Sequence, residues 1–176
     1  MRLASPPRRL RSGTVWYGGG VRKRIVGAAS TSAPEAAGDW LDLERLAQVE
    51  LSSEDPAHPI ECALREGDEG WRAAEPGEQV LRIVFDEPQR LRRIRVGFVE
   101  PSTERTQEFT LRWQPADGSA SREIVRQQWT FSPGGATQET EDYRVELSGV
   151  AALELAIRPN IGGGDARASL HALRLA

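Results

Sequence analysis

The feature that most narrows the folds open to this chain is a period-two alternation of apolar and polar residues. It recurs in runs too short for helices. Successive side chains of a strand point to opposite faces, so such a run buries one face and wets the other. "QVLRIVF" (79–85) sets Leu81, Ile83 and Phe85 on one side and Val80, Arg82 and Val84 on the other. "RRIRVGF" (92–98) opposes Ile94, Val96 and Phe98 to Arg93, Arg95 and Gly97, and "EFTLRWQ" aligns Phe109, Leu111 and Trp113. "AQVELSS", "REIVRQQW", "YRVELSG", "LELAIRP" and "ASLHALRLA" continue the pattern. The separators "FDEPQ", "VEPSTE", "QPADGSA", "FSPGGAT" and "RPNIGGGDA" carry turn-forming residues. Roughly eight short strands with no long helix between them predict an all-β protein, an antiparallel β-sandwich or jelly roll.

The 176 residues suffice for one well-formed core. Residues 1–38 read as a flexible basic tail rich in Gly, Ala and Ser, and residues 39–176 as the sandwich. Arg2, Arg8, Arg9, Arg11, Arg22, Lys23 and Arg24 precede Ile25 with no acid among them. Such a cluster could touch nucleic acid or anionic lipid, but a solvated extension accounts for it as well. "DWLDLERLA" offers an aspartate N-cap and one short helical turn at the start of the domain. No stretch approaches the ~18 apolar residues of a membrane span, and the N-terminus lacks the apolar region of a secretory signal. The single cysteine, Cys62, closes no intrachain disulfide, so a reducing, cytoplasmic location is expected.

Catalysis needs a nucleophile, an acid–base pair or a metal in positioned geometry. Histidine occurs twice, as His58 in "PAHPI" and as His171, which alternates with Leu173 and Leu175 and reads as a core or edge-strand residue. Cys62 reads as a small buried side chain. Two isolated histidines and one cysteine give no zinc spacing. Glu66, Asp68 and Glu69 share one loop and could supply oxygens to calcium, or form a solvated acidic turn. "NIGGGD" precedes a strand and not a helix, so it reads as a connector and not a phosphate cradle.

Taken in order, Ser52-Ser53, Ala63-Leu64, Gly67-Asp68, Gly70-Trp71, Val80 to Phe85 and Pro88 to Phe98 resemble the first half of a discoidin domain. That family is also called the coagulation factor five/eight C-type domain. "RTQEFTLRWQPADG" resembles its next strand and hairpin, and "DARASLHALRLA" its final strand. The resemblance runs from about Leu46 to Ala176 and implies the galactose-binding-like jelly roll, which mostly hosts non-catalytic recognition modules. Secreted members staple their ends with a cysteine pair, absent here. A glutamate of the last strand often helps hold calcium in the family. The matching position is Ala172, which argues against that site in its usual form, and no cofactor is expected.

The resemblance implies a ligand site in three loops at one end of the sandwich: Glu54 to Pro59, Asp68 to Glu78, and Glu100 to Arg105. Its polar lining would be Glu54, His58, Asp68, Arg72, Glu100 and Arg105. Carboxylates and arginine make charge-assisted hydrogen bonds to vicinal hydroxyls, which suits a sugar; they would equally suit a peptide end. Expected partners are a carbohydrate or, alternatively, a protein bound by an intracellular adaptor; a hydrolase with an unrecognised carboxylate pair is a third reading. Nucleic acid and lipid are not expected. Trp71 is expected to be buried as an anchor of the fold, with its polar neighbours meeting the ligand.

Overall fold

In the computed structural model, strands β3 (Gln79–Val99) and β6 (Gln138–Arg158) are each 21 residues long. Drawn straight at about 3.3 Å per residue, each would span ~70 Å. A domain of this size has a radius of gyration of only about 14 Å. Both strands therefore bend, and they bend together. Their antiparallel register slips between Val84 and Arg93, and Gly149, at φ +67°, lies on the facing stretch of β6. Before the bend, Gln79–Val84 pair with 152–157; after it, Arg93–Val99 pair with 138–144.

The structure describes residues 40–67 and 69–176; the expected tail, Asp39 and Asp68 lie outside them. Strands β1 (Ala47–Leu51), β2 (Trp71–Pro76), β4 (Arg105–Pro115), β5 (Arg122–Phe131), β7 (Arg167–Leu170) and β8 (Ala172–Leu175) complete the set. The main sheet runs β1-β3-β6-β4-β5, with β8 also pairing with β3, and β2 pairs with β7 separately. All described pairings are antiparallel. The bent sheet closes on one core, where Phe98 of β3 meets Phe109 of β4 with ring centroids 5.1 Å apart. The expected inward residues Leu81, Ile83, Phe85, Ile94, Val96, Phe98, Phe109 and Leu111 are buried; Trp113 is half-buried against them.

The structure corrects several boundaries. "FDEPQ" lies inside β3, and "YRVELSG" and "LELAIRP" are one strand, because irregular pairing turns a ladder without ending it. The short helix α1 (Leu43–Leu46) follows Asp42. A second short helix, α2 (Glu61–Leu64), was not anticipated; it buries Ala63 completely and leaves Cys62 half-exposed. "ASLHALRLA" is two strands, β7 and β8, interrupted at His171.

That interruption is explained by Gly70. It sits at φ +84°, and a Cβ there would lie 2.5 Å from the Leu170 carbonyl oxygen and 2.7 Å from the His171 Cα. Only glycine fits so close to another backbone. The contact positions Trp71, which pairs with Leu170 and is 1% exposed. Its indole N–H has no hydrogen-bond partner among the described residues, so the ring acts here through apolar area.

The side of the sandwich between β5 and β6 is polar. Gln127 donates to Glu139 at 3.1 Å and to Glu141 at 2.7 Å, and accepts from the Tyr143 hydroxyl at 2.7 Å. Burial, then the neighbouring Glu141 charge, push the Glu139 carboxyl up to about 7.

Two predictions follow from these contacts. Trp71→Ala should cost about 3–5 kcal/mol of stability in chemical denaturation; a variant that kept its midpoint would show that Trp71 is no anchor. Glu139 binds its proton more tightly in the folded chain than in the unfolded one. Its favourable contribution is present below the ordinary value of 4.5 and is lost as pH rises through about 7. Glu139→Gln should therefore raise the melting midpoint at pH 8 by on the order of 5 °C and change it little at pH 4.5.

Candidate functional site

The loops after β1, β3 and β6 meet over the small β2–β7 sheet and enclose a cleft of about 460 Å³. Backbone hydrogen bonds hold them there. Asp55 N–H donates to the Arg72 carbonyl at 2.9 Å, and Arg72 N–H to the His58 carbonyl at 3.1 Å, tying the first loop to β2. Arg72 pairs with Ser169 across β2–β7. Glu100 N–H donates to Thr137 at 2.8 Å, and Ile161 N–H to Thr106 at 2.8 Å, anchoring the other two loops.

Of the six residues expected to line the site, Arg72, Glu100 and Arg105 do so. Glu54 and His58 serve the first loop and do not line the cleft: Glu54 accepts from the Ile60 N–H at 2.7 Å, and His58 lies 3.3 Å from Asp55 and 3.7 Å from Glu69. Asp68 lies outside the described residues.

The floor is an ion pair. Arg105 Nη2 lies 3.0 Å from Glu100 Oε2, with the two side chains only 5% and 13% exposed. Arg105 Nη1 also donates to the Arg167 carbonyl at 2.9 Å, while its Nε finds no partner among the described residues. Glu100 Oε1 accepts from the Ser102 N–H and hydroxyl and from the Thr103 N–H. Burial holds the Arg105 guanidinium below the usual arginine range; Glu100 opposes that shift and the charge of Arg72 adds to it. Asp55 is held below the usual carboxylate range, first by the Ala57 N–H and then by His58.

The sequence reading missed the third wall, Asn160 and Gly163–Ser169, and left Asp55, inside its Glu54–Pro59 loop, out of the polar lining. "NIGGGD" read as a mere connector; Gly163 and Gly164, at φ +83° and +94°, instead bring a backbone with no side chains to the cleft edge. The polar residues after those glycines were the available signal. Among the described residues no aromatic ring lines the cleft, and no three His, Cys, Asp or Glu side chains are grouped to hold a metal ion. No helix among them is long and apolar enough to cross a membrane.

No family model and no curated protein matches the chain. Solved structures do match in fold. The family 32 carbohydrate-binding module (CBM32) of AlyQ, in complex with 4,5-unsaturated mannuronic acid, superposes with a TM-score of 0.56 at 13% identity, covering 79% of this chain and 98% of that one. A CBM32 from Clostridium perfringens in complex with GalNAc-β-1,3-galactose gives 0.54 at 16% identity, covering 78% and 99%. Reduced XRCC1, bound to the DNA polymerase β catalytic domain, gives 0.53 at 16% identity, covering 75% and 96%. The chain thus has the discoidin-like, galactose-binding-like jelly-roll fold of these modules.

A buried pair that loses one partner leaves the other charge desolvated. Glu100→Ala should therefore lower stability by about 3–5 kcal/mol, and the double variant Glu100→Ala/Arg105→Met should recover part of that loss. Equal stability of the two variants in urea titrations would show that the pair is not coupled.

Proposed function

We propose that this chain is a non-catalytic recognition module that binds carbohydrate in the cleft between its three loops. The observation that carries this reading is a preformed concave site of about 460 Å³ whose lining mixes guanidinium, carboxylate, hydroxyl and backbone groups. Sugars present closely spaced hydroxyls that such groups bind in pairs. The saccharides in two of the superposed modules support the same reading. Two of its three acids are committed to structural partners, Glu100 to Arg105 and Asp55 to Ala57 and His58, which leaves Asp165 without a second free carboxylate and supports binding over acid–base chemistry. The half-exposed free thiol of Cys62 supports placing the module in a reducing cytoplasm.

A protein-binding adaptor is the second reading. The lack of an aromatic platform for a pyranose ring among the cleft's described residues favours it, as does the polymerase-bound XRCC1 domain of the same fold.

Titration calorimetry against a panel of mono- and oligosaccharides tests the proposal. Arg72 is exposed, so Arg72→Ala should leave the melting midpoint unchanged and weaken saccharide binding by about tenfold or more. A protein that binds no saccharide on the panel would give way to the adaptor reading.

A further inference from the structure

The hydrogen-bonding groups of the cleft are not evenly spent. Both oxygens of Glu100 are occupied, one by Arg105 and the other by Ser102 and Thr103. Both oxygens of Asp55 are occupied too, by the Ala57 N–H and by His58. The guanidinium of Arg72, in contrast, makes no hydrogen bond or ion pair with any described residue. It shares the cleft lining with buried Arg105, and its charge adds to the downward shift of that guanidinium. Arg167, also exposed at the cleft, makes no side-chain hydrogen bond there and lies within Coulombic reach of Asp55. Against these cations the cleft offers one uncommitted carboxylate, Asp165, exposed on the glycine loop.

Guanidinium groups only donate. A neutral sugar hydroxyl both donates and accepts, whereas in this lining two free guanidinium groups, Arg72 and Arg167, face one uncommitted carboxylate, Asp165, which leaves an excess of donor capacity. A ligand group that only accepts, and carries negative charge, uses all of it. Such a group would also relieve the repulsion between Arg72 and Arg105 at a site where partial burial weakens screening.

We infer that the ligand of this cleft is an acidic saccharide, with its carboxylate or sulfate ester held by Arg72 in the field of buried Arg105. This rests on the saccharide reading above and goes further by naming the ligand's charge. Arginine suits either anion, since a guanidinium presents two parallel N–H groups to a pair of oxygens.

The test is calorimetry on the full chain with four probes: an oligogalacturonate, a sulfated galacto-oligosaccharide, a neutral galacto-oligosaccharide of the same length, and polyglutamate. At low salt one or both acidic sugars should bind at least about tenfold tighter than the neutral one, with the gap narrowing as salt rises. The acidic sugar that binds identifies the anion. Arg72→Gln should erase the gap by weakening acidic-sugar binding at least about tenfold, and Arg72→Lys should restore part of it. Equal affinity for acidic and neutral sugars overturns the inference and leaves the saccharide reading standing. Binding of polyglutamate as tight as that of the acidic sugars also overturns it, since charge alone would then suffice. No binding of any sugar overturns both.

Discussion

The shared bend of β3 and β6 is the constraint from which the rest of the molecule is built. Two long antiparallel strands cannot turn independently without abandoning backbone hydrogen bonds, and a buried unpaired amide is costly. They turn together, so the halves of the same two strands build both layers of the sandwich. The C-terminal ends of β3 at Val99 and of β6 at Arg158 then feed loops into one cleft. The Gly70 approach to Leu170 and His171 fixes the β2–β7 pair beneath them. The site follows from the topology.

What the sequence disclosed, and what it hid, divides along the same line. Alternation at Leu81, Ile83, Phe85 and at Ile94, Val96, Phe98 exposed the strand faces, because a strand's period is local. Gly70-Trp71 marked the buried anchor because glycine and tryptophan answer to sterics and apolar area at their own positions. The continuity of β3 through "FDEPQ" was hidden, since Asp, Pro and Gln signal a turn unless a partner strand holds the ladder. The resemblance pointed to the loop that contains the Glu100–Arg105 pair, although burial of that pair depends on packing. The wall from Asn160 to Ser169 was hidden because β7 meets β2 across nearly a hundred residues of chain, a contact that no local pattern announces.

Polar groups inside the sandwich mark where its core stops being apolar. Arg105, Gln107 and Glu139 are buried with atoms that have no partner among the described residues, and they belong to β4 and β6. Leu91, Ile94, Leu173 and Leu175 are fully buried in the core, and Arg174 between the last two is buried as well, donating to the Ala63 carbonyl at 2.8 Å. The polar side extends from the cleft floor toward β5. The cleft side thereby carries charge without thinning the core beneath it.

Arg105 joins the loop after β3, through Glu100, to the backbone of β7, through the Arg167 carbonyl. Two walls of the cleft are therefore fixed relative to each other before any ligand arrives. A weakly held ligand loses much of its binding energy when it must first order the loops that receive it. In this protein those loops are ordered on folding, so a ligand of the proposed kind would not have to order them.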